Sequence, residues 1–454
     1  MSINDIKKNK LKSLSSSIVE NIRPWRLGAF LVICIFLGGT SQNIVQPKTI
    51  IYLVSLFLIG VTLSETNHKP FKALLRPPII IGGGFVLAFS AYSVPLPPSI
   101  WVSLPGRDVV VEGFRLIEKP LPWMPLSVTP EITLFSLLDF LPLIAVSLIL
   151  TLSAQRDEIE NSYYAIVGLA IASVVLGVFQ VFIQAKAFYF YDITNEGFAV
   201  GFFSNANHNA TFLTMMFPIA LYLVFHTASG RKTKIKDKPF GLIAAVLIAI
   251  GVLMTGSTAG YLLLIFVVFS STIAIFRKTV WQPRILAIIC FVTLLIALDL
   301  FLFGGQLQQF LSKFTADSDT SRSVAFSTTW EASQDFRIFG SGPGSFEDVY
   351  KLYEDRGSIT LKFLPHAHND YLQIWLEMGV IGGLIILAAM LWFIITAVGV
   401  LRKANTTNVI NTIFVIILLV AILHSTADYP LRTLGVSTLF CYIMLLLDKA
   451  CHTS

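Results

Sequence analysis

The stretch PHAHNDYLQIWLEMGVIGG, Pro365–Gly383, decides how this chain is read. It opens on two histidines, an asparagine and an aspartate, then runs into a long apolar segment reaching about residue 401. Gln373 and Glu377 sit among residues apolar enough to lie in lipid. At helical spacing, Asn369, Gln373 and Glu377 share one face over about 12 Å. Ionisable groups inside a membrane are costly, so such a stripe turns toward a cavity or a partner.

The rest of the chain sets the context. Of 454 residues, 55% are hydrophobic and 13% charged, about half the charged share of a soluble domain. The net charge of +6 resides largely in short loops between apolar runs. That is an orientation signal, not a nucleic-acid surface, and no nucleic-acid partner is expected. Cys34, Cys290 and Cys441 fall within apolar runs and Cys451 near the end. They read as packing residues, without a disulfide framework, metal site or cofactor.

The expected fold is an all-α polytopic membrane protein of about twelve transmembrane helices. Runs near the roughly 20 residues that a helix needs to cross a bilayer occur at 27–46, 50–64, 79–95, 133–152, 162–184, 208–227, 240–256, 259–276, 285–304, 371–401, 408–424 and 432–448. With both ends cytoplasmic, 21 of the 33 Lys and Arg residues fall inside and 12 outside, most of the latter in two long loops. The organisation expected is a cytoplasmic segment over 1–26, not cleaved as a signal peptide, and spans one to nine over 27–304. A large periplasmic loop over 305–370, read as a small helical cap, separates these from spans ten to twelve and a short cytoplasmic tail over 371–454. The loop over 96–132, rich in proline and tryptophan, reads as partly buried and interfacial.

Five polar stretches fall at the outer face in this topology: GFFSNANHNATF (201–212), TGSTAGY (255–261), SRSVAFSTTW (321–330), PHAHND (365–370) and HSTADYPLRT (424–433). Spans six, ten and twelve point their N-termini outward, and a helix N-terminus attracts anions. With Arg322 and Arg432 added, the sum is a positively biased pocket suited to a phosphate or pyrophosphate headgroup. Ser204 or Asn205 suits the N-cap of span six. His368, expected in the first turn of span ten, is placed to stay neutral and act as a general base.

Plainer readings stand beside these. Gln373 fits interhelical glue as well as function, and Glu377 fits a structural acid or an ion-pair partner. His366 reads as a surface loop residue, His208 as a cap of span six, and Asp428 with Arg432 as a local ion pair that fixes a turn. GSGPGSF (340–346) lacks the lysine of a phosphate loop. TGSTAG reads as a tight hairpin of small residues, and Gly382 and Gly383 as room for another helix.

His368-Asn369, nine residues, Gly379, two residues and Gly382 resemble the H-[NSQ]-x9-G-x-x-G signature of the O-antigen ligase superfamily, which includes O-antigen and exopolysaccharide polymerases. Arg322, Trp330 and Gly340-Ser-Gly-Pro-Gly look like its loop pattern, Gly201 to His208 like the start of its sixth span, and Asp428-Tyr-Pro like its penultimate-loop acid. The resemblance implies an inverting, metal-independent glycosyltransferase of the inner membrane with a periplasmic active site. Its donor would be an undecaprenyl-pyrophosphate-linked glycan, and its acceptor lipid A-core or, for a polymerase, a second lipid-linked glycan. By the same resemblance His368 activates the acceptor hydroxyl and Arg322 engages the pyrophosphate. Asn369, Arg432, Asp428, Asn207, His208, Gln373 and Glu377 are the expected substrate-binding set. Where the family often has Ser-Arg-Gly, this chain has Ser257-Thr258-Ala259, and Arg432 is a candidate replacement for the missing arginine. A lipid-linked glycan transporter is the alternative from another class, but it would place polar groups near mid-bilayer.

Overall fold

The computed structural model describes residues 23–42, 45–66, 74–226, 238–276, 320–355, 364–403 and 409–452. The expected ninth span, Cys290 and most of the segment 1–26 lie outside the described residues. The first eleven helices are α1 Arg26–Leu37, α2 Val45–Glu65, α3 Pro77–Tyr92, α4 Pro98–Trp101, α5 Asp108–Leu116, α6 Pro130–Ser136, α7 Leu141–Leu148, α8 Arg156–Phe182, α9 Ala206–Phe225, α10 Lys238–Met254 and α11 Thr258–Phe276. Then come α12 Thr320–Asp335, α13 Phe346–Tyr353, α14 Asp370–Arg402, α15 Val409–His424 and α16 Leu434–His452. Two short strands, β1 Pro95–Leu96 and β2 Met124–Pro125, pair antiparallel.

Among the described residues, seven helical segments are long and apolar enough to cross a membrane, and α3, α10 and α15 are shorter apolar helices. One of the seven, Pro130–Ser153, is compound: α6, a 3-10 turn Leu137–Phe140, α7 and a π-helical end Ile149–Ser153. α9 is the hub, buried over most of its length and packed against α8, α10, α11 and α15. α14 is the opposite case. Leu384, Leu387, Leu391 and Ile395 recur at helical spacing along it and stay exposed, the apolar stripe of a helix facing lipid.

The first span ends sooner than its composition suggests. α1 stops at Leu37, not near residue 46. The backbone is needed elsewhere: Gly435 N–H donates to the Gly38 carbonyl (3.0 Å) and Ser204 N–H to the Gly39 carbonyl (3.1 Å). A Cβ on Gly39 would collide with the Phe202 carbonyl. The helix therefore gives way to a close backbone junction that ties the starts of α9 and α16 together.

The loop over 96–132 carries α4, α5 and the β pair around two buried anchors. Trp101 Nε1 donates to the Pro122 carbonyl at 2.8 Å. Buried Arg107 donates to the carbonyls of Pro125, Leu126 and Ser127 at 2.8, 2.7 and 3.1 Å, satisfying main-chain groups that the turn leaves open.

α14 is broken at Gly379, whose backbone is left-handed (φ +54°, ψ −142°). The Gly340–Gly344 run fills the break. Ser341 N–H donates to the Leu376 carbonyl (3.0 Å), Gly342 N–H to the Glu377 carbonyl (2.8 Å) and Val380 N–H to the Arg337 carbonyl (3.0 Å). Cβ atoms on Gly340 or Gly379 would collide with the opposite backbone, so the approach needs glycine at both. Gly382 and Gly383 do not admit another helix. The break folds α14 back so that Ile374, Met378 and Trp375 of the same helix occupy that space. The polar stripe thus rides on a short piece, Asp370–Met378, separated from the lipid-facing piece below.

Candidate active site

Asp428 is the centre of one cluster. It lies in the turn between α15 and α16, with a buried carboxylate. Oδ1 lies 3.3 Å from His368 Nδ1 and 3.8 Å from His208 Nε2. Oδ2 accepts from Asn207 Nδ2 at 2.5 Å. Burial alone would raise this carboxyl, but the facing imidazoles of His208 and His368 outweigh it and hold the group well below the usual carboxylate range. Tyr429 stands beside it, its ring 4.9, 4.5 and 4.9 Å from the rings of His208, His366 and His368. Among the described residues no group of three His, Cys, Asp or Glu side chains has metal-holding geometry.

Each member has a local reason for its place. Asn205 caps α9 by accepting from Asn207 N–H (2.9 Å), which puts Asn207 and His208 in the first turn, facing the turn that holds Asp428. Asn369 caps α14, accepting from Tyr371 and Leu372 N–H at 3.0 Å each, and its Nδ2 donates to the Thr426 carbonyl (3.1 Å). His368 therefore precedes the cap instead of lying in the first helical turn, and its backbone is left-handed (φ +51°). That conformation is uncommon without glycine and turns the imidazole onto Asp428. The side chain keeps 20% of its surface exposed, whereas His208 is fully buried. His368 is the histidine of this pair that is open to the outside.

A second cluster lies along the stripe. Arg432 donates to Glu377 Oε2 (2.9 Å), and its Nε lies 3.5 Å from Asp370 Oδ1. Ser425 Oγ donates to Asp370 Oδ2 (2.8 Å). Gln373 Nε2 donates to Glu377 Oε1 (2.9 Å), and Gln373 Oε1 accepts from Ala367 N–H (3.2 Å). Gln373 Nε2 also lies 3.1 Å from His366 Nδ1, linking the two clusters.

Several sequence expectations change here. Arg432 sits in a 3-10 turn, Pro430–Arg432, before α16. It pairs with Asp370 and Glu377, so the local Asp428–Arg432 pair does not form. Two carboxylates thus flank the guanidinium expected to add positive charge to the pocket. His366 is not a surface loop residue: it packs on Tyr429 and Gln373, and burial, then the Arg432 charge and His208, push it well below the ordinary histidine value. Arg322 falls in the first turn of α12, with its side chain outside the described residues. Tyr429 and Asp370 were missed. Both adjoin residues singled out in the sequence, but only the fold brings three histidines from two segments around one ring.

A cavity of about 970 Å³ lies between α3, the Pro130–Ser153 segment, α14 and α16. Most of its wall is apolar, with Phe85, Phe89, Leu143, Met390 and Phe440 among the lining. His366, Asp370, Gln373, Glu377 and Arg432 form a polar edge.

The apolar cavity of this multi-pass helical protein thus ends at a set of titratable side chains. Residues 243–387, roughly a third of the chain, match the family model described as O-Antigen ligase. The match supports membership of the O-antigen ligase superfamily and a ligase- or polymerase-type function. No curated protein matches the chain.

Proposed function

We propose that the chain is an inverting, metal-independent glycosyltransferase. It moves a glycan from undecaprenyl pyrophosphate to an acceptor hydroxyl at the periplasmic face of the inner membrane, in lipopolysaccharide or exopolysaccharide biosynthesis. The observation that carries this reading is the partly exposed His368, held 3.3 Å from buried Asp428. With the carboxylate facing Nδ1, the proton belongs on that nitrogen and the Nε2 lone pair is left for substrate. The acceptor hydroxyl gives its proton to Nε2 as its oxygen bonds to the anomeric carbon. The bond from that carbon to the diphosphate breaks on the opposite side, and the electron pair leaves with the diphosphate. That leaving group is already an anion, so it needs charge stabilisation more than a proton. In this reading Arg322 supplies it.

The long apolar cavity supports a lipid-linked donor. The twelve-span topology, with both ends cytoplasmic and 305–370 as the periplasmic loop, puts His368, Asp428 and Arg432 on one side of the membrane. Lipid A-core is the acceptor in the ligase form. The polymerase form, with a second lipid-linked glycan as acceptor, is favoured by the arginine-free hairpin. There Ser257 Oγ accepts from Gly260 N–H (3.1 Å), which helps turn the chain.

The test is transfer from purified lipid-linked donor by the His368→Ala protein; full activity would end the assignment. Deleting the gene separates the two forms. Loss of all long-chain lipopolysaccharide, with lipid-linked polymer accumulating, marks a ligase. Retained single-unit products mark a polymerase.

A further inference from the structure

The cavity has further polar lining besides His366, Asp370, Gln373, Glu377 and Arg432. α2 brings Lys48 to it, and the 3-10 turn between α6 and α7 brings Asp139. Lys48 is buried, with Nζ 3.5 Å from each Asp139 carboxylate oxygen. Tyr52, one turn further along α2, donates its hydroxyl to Asp139 Oδ1. An ion pair with a buried lysine and a half-buried aspartate is costly in an apolar bundle, and this one lines a lipid-sized cavity.

Among the described residues, the cations lining this cavity are Lys48 and Arg432. Arg432 serves two carboxylates. Lys48 shares Asp139 with Tyr52, at a longer and symmetric distance. If Lys48 turned toward an incoming anion, Tyr52 would keep a hydrogen bond on the half-buried carboxylate, so the move leaves Asp139 partnered. An ammonium is a compact charge with rotatable donors, suited to a phosphate oxygen without fixed fork geometry.

We propose that Lys48 is the anion-binding cation of this cavity. It takes a phosphate of a polyprenyl diphosphate whose tail lies along the apolar wall, and Asp139 with Tyr52 is its resting position. This rests on the lipid-linked donor proposed above and adds a residue that none of the sequence motifs contains.

The test is binding of undecaprenyl diphosphate to the full-length protein in phosphatidylcholine nanodiscs. Lys48→Gln should weaken binding at least tenfold, about 1.4 kcal/mol, and Lys48→Arg by no more than about threefold, since charge is kept. The Lys48→Gln/Asp139→Asn double variant removes the pair without stranding an acid and should lose as much as Lys48→Gln. Undecaprenol, which lacks the phosphates, should bind all variants alike. Wild-type affinity in both Lys48→Gln and the double variant would overturn the proposal. So would equal competition by inorganic pyrophosphate or by phosphatidylglycerol, which would assign Lys48 to free or ordinary headgroup phosphate. His368→Ala should bind undecaprenyl diphosphate normally. If that variant also transfers glycan normally, the base assignment fails and the Lys48 assignment stands. If the wild-type protein does not bind undecaprenyl diphosphate, both fail.

Discussion

The two clusters on either side of Gln373 are built from similar parts and end in different states. Around Arg432, one guanidinium meets two carboxylates, and serine and glutamine take further oxygens. Around Asp428, one carboxylate meets two imidazoles and an amide, and one imidazole keeps an exposed edge. The first arrangement uses its charges on itself. The second keeps one imidazole partly exposed, its ring beside a carboxylate that stays ionised. Charge alone does not mark chemistry; an oriented group with a face left over does.

The sharpest way to break this contrast is on the histidine side. His368→Ala should lower transfer about a thousandfold, within the range for a lost general base, with the unfolding midpoint in detergent unchanged. Asp428→Asn should cost about a hundredfold by releasing the ring. A normal rate in either variant, measured with lipid-linked donor, would dissolve the distinction. On the arginine side the effect should be structural. Arg432→Met strands two carboxylates and should destabilise the protein by about 3 kcal/mol, read as a lower midpoint. Glu377→Gln in that background should restore part of it. Gly379→Ala forces a Cβ into the backbone at Ile338 and should cost about 2 kcal/mol through left-handed strain, seen as easier proteolysis of the loop between α12 and α14.

The smallest effect is a pH dependence. The half-buried His366 has its affinity for protons lowered, so the unfolded chain binds a proton that the folded one refuses. Stability should therefore fall as pH drops through about 6.5, the unfolded histidine value. Asp428 adds nothing in that window, because its depressed value confines any loss to strongly acid pH. Midpoints measured from pH 7.5 to 5.5 should decline in the wild-type protein and flatten in His366→Gln.

Much of the helical layout was legible because length and apolarity set it. The runs 162–184 and 208–227 correspond to Arg156–Phe182 and Ala206–Phe225. The early end of α1 was not legible, since it depends on backbone contacts with Phe202 and Gly435, far away in sequence. The Gly379 break was hidden for the same reason. Its carbonyls are satisfied by Ser341 and Gly342, and no local pattern announces that. At the site, PHAHND and ADYP are segments whose side chains meet in the fold. They could not say that Asp428 would choose His368 and Asn207 over Arg432, four residues along.

The seam between Gly340–Gly344 and the break in α14 has a consequence for how such a protein diversifies. It is stitched largely by main-chain N–H and carbonyl groups, which every residue type carries. Outside the glycines, side-chain drift in α12 and α13 can therefore proceed without loosening the seam. Novelty and constancy are housed in different atoms of the same loop.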